Sequence, residues 1–123
     1  MTNLIYVASA YSDPDKQVVQ LRMNKFAGMM AKLIENRLHP VSPLLNHYLD
    51  GVVTINFPLT WDWWEDYSKL LLSKCDHMIV ITGPGWENST GVKGEIALAN
   101  EMNIPITFVD KVKDLEEFIQ SVV

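Results

Sequence analysis

The chain has 123 residues, of which 48% are hydrophobic and 20% charged, and this composition predicts one soluble globular domain over residues 1–123. A net charge of −5 argues against binding to a nucleic-acid polymer, because such binding depends on an excess of Lys and Arg. A single cysteine excludes an intrachain disulfide, and the lack of a long apolar stretch or a signal-peptide pattern predicts a cytoplasmic protein without a membrane partner.

The first part of the chain predicts two strands around a long helix. Residues 3–9 form an apolar run that ends in small residues, which is typical of a short buried strand. Asp13 is the predicted N-cap of a helix over residues 14–36, because a proline follows it at the first helical position. Residues 39–42 predict a second strand, and residues 44–59 lack periodicity and predict a flexible loop over a site.

The second part alternates helices with strands. Helices are predicted over residues 61–74, 91–102 and 115–122, and strands over residues 77–82 and 104–109. Because each strand is a continuous apolar run, we expect a parallel sheet with helices on both faces. The predicted fold is an α/β, flavodoxin- or Rossmann-like three-layer sandwich with four to five strands. Ligands of such sheets bind beyond the carboxyl ends of the strands, which selects residues 9–13, 42–48 and 83–91.

Glu95 is the most informative residue of the predicted helix over residues 91–102. The apolar stripe of this helix runs through Val92, Ile96 and Ala99, and Glu95 falls inside that stripe. A carboxylate on a buried helix face costs free energy unless it has a partner or a chemical task. The alternative is a glutamate at the edge of the stripe that interacts with the helix dipole or a neighbouring lysine.

Ser89, Thr90 and Gly91 precede the same helix. The backbone N–H groups of a helix amino terminus form a ready site for a phosphate or a carboxylate. Simple capping by Ser89 or Thr90 explains the same residues. The sequence contains no glycine-rich dinucleotide or P-loop motif, so we expect no cofactor.

Arg22 and the three histidines are the remaining candidates for contact with a substrate or a metal. Arg22 lies on the predicted inner face of the first helix, where it binds a substrate anion or a carboxylate, or else extends its guanidinium to solvent. The three histidines lack the spacing of metal ligands, so no metal site is expected. Only His47, on the predicted loop, is a candidate for substrate contact.

An aromatic cluster opens the predicted helix over residues 61–74. Its members are Trp61, Trp63, Trp64 and Tyr67. Such a cluster indicates a core or a subunit interface more often than a base-stacking surface. Because so many large aromatic side chains are difficult to bury within a small domain, we expect a homodimer.

Several motifs together resemble a known superfamily. They are Tyr-Val-Ala-Ser-Ala-Tyr-Ser at residues 6–12, Arg22, Ser42-Pro43, Trp-Asp-Trp-Trp at residues 61–64, Cys75-Asp76, and Gly-Trp-Glu-Asn-Ser-Thr-Gly-Val-Lys-Gly-Glu at residues 85–95. Over nearly the whole chain the pattern is similar to the nucleoside 2-deoxyribosyltransferase-like superfamily, and within it most similar to the domain of unknown function 1937. The superfamily also contains the 2′-deoxynucleoside 5′-monophosphate N-hydrolases.

The resemblance implies an enzyme that hydrolyses the N-glycosidic bond of a deoxynucleotide or deoxynucleoside, or transfers the base, commonly as a dimer or larger oligomer. It implies that Glu95 attacks the anomeric carbon, since a carboxylate stabilises or traps the oxocarbenium-like state. The residues expected to bind substrate are Tyr6, Ser9, Ala10, Tyr11, Arg22, His47, Ser68, Trp86, Ser89, Thr90 and Gly91. Of these, Tyr6, Ser9 and Ala10 match a segment that contacts sugar or phosphate, and Ser89 and Gly91 match positions that hold a 5′-phosphate.

The sequence departs from the superfamily at one position. An acidic residue usually lies eight positions before the Asp of the third strand and orients the sugar or handles the proton of the base. Here Ser68 lies eight positions before Asp76. Asp62 and Asp66 are nearby and are the candidates to replace the missing acid. The alternative is a non-catalytic nucleotide-binding or sensor protein on the same fold.

Overall fold

The structure is a computed structural model that describes residues 4–46 and 60–123. The strands in these ranges are β1 (Leu4–Ser9), β2 (His39–Val41), β3 (His77–Ile81) and β4 (Ile106–Val109). The helices that lie wholly within them are α1 (Lys16–Glu35), α2 (Trp61–Leu72), α3 (Thr90–Glu101) and α4 (Val112–Val122). A short 3-10 helix, Trp86–Asn88, precedes α3.

The four strands form one parallel sheet in the order β2-β1-β3-β4. In the centre of β1, Tyr6 lies between Val41 of β2 and Met78 of β3. This arrangement confirms the predicted α/β three-layer fold. The chain continues from β2 across β1 to β3, so the direction of the connections reverses between β1 and β3, and ligands bind at such a reversal.

The two faces of the sheet are covered by different helices. On one face, Ile5 and Val7 of β1 pack in a cluster with apolar residues of α1 and α4. On the other face, Tyr6 and Ala8 pack with residues of α2 and α3. Because successive side chains of a strand point to opposite faces, the position of Tyr6 in β1 directs its ring toward α2 and α3.

The first helix begins later than the sequence predicts. Asp15 is its N-cap, since the Asp15 side chain accepts a hydrogen bond from the amide of Gln17 at 2.9 Å. Asp13, the predicted cap, instead accepts from the amide of Asp15 at 2.9 Å and stabilises the turn before the helix. The prediction was wrong because the chain offers two aspartates around Pro14, and both have the chemistry of a cap.

Other element boundaries differ by a few residues. The strand β4 begins at Ile106 rather than at residue 104, because the amide of Ile104 still donates to the carbonyl of Ala99 at the end of α3. The helix α4 begins at Val112, three residues earlier than predicted. Its start is fixed by Asp114, whose carboxylate accepts from the amides of the two residues before the helix, at 3.1 and 2.9 Å.

Two further predictions concern the loop and the membrane. Residues 44–46 have a helical backbone, so the loop predicted over residues 44–59 was wrong at its start. The rest of that loop, residues 47–59, lies outside the described residues. In the described part of the chain, no helix has both the length and the apolar composition that crossing a membrane requires.

Candidate active site

A cleft of about 500 Å³ opens at the carboxyl edge of the sheet, where the direction of the connections reverses between β1 and β3. Ser9 and Tyr11 line it from the end of β1, and Leu44 lines it beyond β2. The segment that follows β3 supplies a further wall, from Gly85 to Glu95. All three segments that the strand ends select therefore contribute to one cleft, and α2 closes it on the remaining side.

Glu95 and Tyr6 meet at the bottom of this cleft. Glu95 lies on α3, partly exposed to the cleft, and its neighbours Val92 and Ala99 are buried, as the apolar stripe predicts. The phenol of Tyr6, which is fully buried, donates a hydrogen bond to Oε2 of Glu95. The carboxylate therefore has a partner inside the protein as well as access to the cleft.

The surroundings of this pair change the proton affinity of both groups. Burial raises the pKa of Glu95 to about 7, and the hydrogen bond from Tyr6 opposes part of that rise. Burial, together with the charge of Glu95 and the hydrogen bond to it, raises the pKa of the Tyr6 phenol. Tyr6 therefore stays protonated and acts as a donor, while Glu95 changes its charge near neutral pH.

Ser68 lies beside the same pair. It is 3% exposed, lines the cleft, and its hydroxyl makes a side-chain hydrogen bond that lowers the pKa of Tyr6. Ser68 thus places a hydroxyl, and not an acid, beside Tyr6. Asp62 and Asp66, the predicted substitutes, are exposed on α2, and neither lines the cleft formed by the described residues.

The spacing along α2 explains why those aspartates lie elsewhere. Trp61, Trp64 and Ser68 are three and then four residues apart, so they share one helix face, and all three line the cleft. Asp62 and Asp66 are four residues apart on the opposite face. This periodicity is visible in the sequence, so the two sets could have been separated from the sequence alone.

The amino terminus of α3 forms the far wall of the cleft. Ser89 is the N-cap, and its Oγ accepts from the amide of Val92 at 3.2 Å. Capping by Ser89 is therefore confirmed. Ser89, Thr90 and Gly91 also line the cleft, so the positive end of the helix faces the same space as Glu95.

Arg22 connects the two loops that form the mouth of the cleft. Its guanidinium donates to the carbonyl of Ser12 at 2.9 Å and to that of Pro84 at 3.1 Å, and lies 4.0 Å from Oδ2 of Asp13. Arg22 and Asp13 both line the cleft. The structure thus places Arg22 at the site, with part of its hydrogen-bonding capacity used to hold the loops after β1 and β3.

Among the described residues, three predicted substrate-binding residues do not line this cleft, and one of them, Tyr6, is fully buried behind Glu95. Ala10 and Trp86 line a second, smaller cleft of about 180 Å³, which shares Ser9 and Arg22 with the first. His47 lies outside the described residues. Within the described ranges, no three His, Cys, Asp or Glu side chains come together in a group that could hold a metal ion.

The aromatic cluster has a role that the sequence pattern did not reveal. Trp61 and Trp64 line the large cleft. Trp63 instead stacks on Tyr67, with ring centroids 5.3 Å apart and planes at 9°, and makes a T-shaped contact with Trp64 at a centroid distance of 4.8 Å. The expected subunit interface at these residues stays a prediction, whereas their contribution to the cleft is a feature that sequence reasoning missed.

The family of the chain follows from comparison with known proteins. No curated protein matches the chain. The family model for the domain of unknown function (DUF1937) matches residues 3–111, a range that begins just before β1 and ends beyond β4. It covers every described segment that lines the cleft, and it confirms the family that the sequence motifs predict. The chain belongs to the DUF1937 family.

Proposed function

We propose that the protein is an N-glycosidase that acts on a deoxynucleotide or deoxynucleoside, by hydrolysis or by transfer of the base. The observation that carries this proposal is the pairing of Glu95 with Tyr6 at the bottom of a cleft that also contains a helix amino terminus. A partly buried carboxylate with a raised pKa in a cleft is typical of a catalytic group. The resemblance to the nucleoside 2-deoxyribosyltransferase-like superfamily supports the same reaction.

The chemistry assigns a separate role to each member of the pair. One carboxylate oxygen of Glu95 bonds to the anomeric carbon as the bond from that carbon to the base nitrogen breaks and its electron pair leaves with the base. Tyr6 holds the other oxygen, which orients the carboxylate and favours its ionised form. Water, or a second base, then attacks the anomeric carbon and releases the carboxylate.

The spacing along α3 favours a substrate with a 5′-phosphate. Gly91 and Glu95 are four residues apart, on the same helix face and about 6 Å apart along the axis. The phosphorus and the anomeric carbon of a nucleoside monophosphate are separated by a similar distance. A phosphate at the amides of Thr90 and Gly91 therefore brings the sugar carbon to Glu95, and the helix dipole favours the negative charge.

The departing base receives its proton differently from the superfamily pattern. Ser68 is a poor acid, and Asp62 and Asp66 are exposed away from the cleft. We infer that solvent protonates the base. The reaction is therefore slow for bases whose anions are strongly basic and leave poorly without a proton. The same observation favours a second candidate function, a nucleotide-binding or sensor protein that retains the cleft without turnover.

The experiment that tests the proposal is a substrate panel. The protein is incubated with the common deoxynucleoside 5′-monophosphates and with the matching deoxynucleosides, and free base is measured by chromatography. The proposal predicts base release, faster from the monophosphates. Binding of a nucleotide with no release from any member of the panel contradicts the glycosidase and supports the sensor.

We further propose that the protein acts as a cytoplasmic homodimer. The only thiol, Cys75, is buried and unpaired, which suits a reducing compartment. The aromatic residues of α2 and the oligomeric habit of the superfamily support self-association. Light scattering at micromolar concentration checks it: a dimer has twice the 14.0 kDa mass of the chain, and a mass of 14.0 kDa at every concentration contradicts it.

A further inference from the structure

The face of α2 that borders the cleft is aromatic at one end and polar at the other. Trp61 and Trp64 occupy the end near the start of the helix, and Ser68 lies at the end beside Tyr6. Trp61 is 40% exposed, although it is among the largest apolar side chains of the protein. An exposed indole at a cleft wall offers a flat apolar surface to whatever enters the cleft.

The indole of Trp61 is held in place by a glycine of α3. A Cβ atom on Gly94 would lie 2.7 Å from Cζ2 and 2.8 Å from Cη2 of Trp61, closer than real Cβ contacts. A Cβ at this point would therefore displace the ring from its present position. Glycine lowers the stability of a helix interior, so the room for the indole at Gly94 comes with a loss of helix stability. Gly94 is also the residue directly before Glu95.

Trp64 is supported from behind by other rings. Trp63 makes a T-shaped contact with it, with ring centroids 4.8 Å apart and planes at 86°, and Tyr67 makes another at 6.5 Å and 79°. Trp61 is thus fixed by α3 and Trp64 by its own helix. Both rings border the cleft that contains Glu95, at the opposite end of the α2 face from Ser68.

We propose that Trp61 and Trp64 form an aromatic wall on which a planar nitrogen heterocycle, the base of the substrate, stacks, and that Gly94 fixes the position of that wall. This inference deepens the proposed function and rests on it, because it gives the base a place beside the carbon that Glu95 attacks. Stacking accepts any base, since every base has a π face. The wall therefore contributes affinity for the heterocycle and none for the sugar phosphate.

The test uses wild-type protein and two probes that contain no bond to cleave, adenine and 2-deoxyribose 5-phosphate. Calorimetry measures the Kd of each probe for the wild type and for Trp61→Ala, Trp61→Phe and Gly94→Ala. We expect Trp61→Ala and Gly94→Ala to raise the Kd of adenine about tenfold, as the loss of one stacked base predicts. Trp61→Phe retains a smaller ring and gives an intermediate Kd, and the Kd of the sugar phosphate changes less than about twofold in all variants.

Gly28→Ala is the matched control for the glycine substitution. Gly28 lies within α1, and a Cβ there meets nothing within 4 Å, so we expect the wild-type Kd for both probes. Circular dichroism melting establishes that each variant folds. If Trp61→Ala does not fold, the adenine Kd values of Trp61→Phe and Gly94→Ala are compared with that of the wild type instead.

The outcomes separate this inference from the proposed function. An unchanged adenine Kd in the folded Trp61 and Gly94 variants overturns the wall, and so does a wild type that does not bind adenine. A folded Trp61→Ala that binds adenine normally but loses self-association overturns it in favour of an interface between copies. Adenine binding that depends on Trp61, together with no base release from any nucleotide, supports the wall and contradicts the glycosidase.

Discussion

The phenol of Tyr6 donates a hydrogen bond to Oε2 of Glu95, and this contact joins β1, one of the two central strands of the sheet, to the helix α3 at the cleft. Tyr6 reaches α3 because it lies on the face of β1 that packs against α2 and α3. Glu95 tolerates its partial burial because the phenol is a permanent donor to it. One strand position and one helix position thus set both the place and the proton affinity of the candidate nucleophile.

Replacing Tyr6 with Phe changes the pH dependence of activity. The nucleophile must be ionised, so kcat/KM of the wild type rises with pH up to about 7 and then levels off. The hydrogen bond from Tyr6 lowers the pKa of Glu95, and its loss moves this rise to higher pH. A pH profile of kcat/KM for both proteins measures the shift. A rise at unchanged or lower pH in Tyr6→Phe contradicts the role assigned to the phenol.

Glu95→Gln changes how stability depends on pH. The pKa of Glu95 is higher in the folded protein, so its contribution to stability is fully present below the ordinary value of about 4.5 and is lost as pH rises through about 7. A glutamine side chain at this position carries no charge to bury, so the variant gains up to about 3 kcal/mol relative to the wild type between pH 4 and pH 8. Urea unfolding at both pH values measures this gain.

The control for that experiment is Glu101→Gln, which removes an exposed glutamate from the same helix. We expect its free energy of unfolding to follow the wild type at both pH values. An equal gain in both variants would show that the effect comes from the net charge of α3. The claim that burial disfavours the charged form of Glu95 would then be wrong.

Ser89→Ala affects phosphorylated and unphosphorylated substrates differently. The loss of the N-cap costs about 1 kcal/mol of stability. The cap bond uses a lone pair of Oγ and not the hydroxyl proton, which remains to donate to a phosphate. We expect the KM of a deoxynucleoside monophosphate to rise about tenfold, the value of one hydrogen bond to a charged group, while that of the deoxynucleoside stays constant.

Ser73→Ala is the control for this comparison. Ser73 follows the end of α2, does not line the cleft, and donates its hydroxyl to the carbonyl of Leu70. Its KM for both substrates should equal that of the wild type. If Ser89→Ala raises both KM values equally, the helix terminus acts on the sugar or the cleft as a whole, and the proposed phosphate site is refuted.

Arg22→Lys tests the connection between the loops after β1 and β3. The guanidinium holds the carbonyls of Ser12 and Pro84 at once, and a lysine ammonium lacks the fork needed to hold both. We expect the free energy of unfolding to fall by about 1 kcal/mol, measured by urea unfolding, and the KM of the substrate to rise. Arg37→Lys, at an exposed position after α1, is the matched control and should match the wild type.

Much of the fold could be predicted from the sequence because its signals are local. The apolar run at residues 77–82 predicts β3 to within one residue, and the stripe of α3 predicts that Glu95 faces inward. The start of α1 was not predictable in this way. Asp13 and Asp15 have the same capping chemistry, and only the course of the chain around Pro14 selects between them.

The site was predictable where one element determines it and unpredictable where two elements meet. Ser89 and Glu95 follow from the position and periodicity of α3 alone. The contact of Trp61 with Gly94 and that of Tyr6 with Glu95 depend on how α2, α3 and β1 pack. The sequence therefore favours an interface or a core over a base-stacking surface for Trp61, and the resemblance places Tyr6 near the sugar without its partner.

The central claim is that Glu95 performs the bond cleavage, and the most direct measurement is base release from a deoxynucleoside 5′-monophosphate by wild type and Glu95→Gln. Both proteins are first shown to bind the nucleotide with similar Kd, and Glu101→Gln is assayed beside them. The account predicts release by the wild type and by Glu101→Gln, with a loss of about a thousandfold or more in Glu95→Gln, as expected for removal of a nucleophile. Release by Glu95→Gln at a rate close to that of the wild type would contradict it.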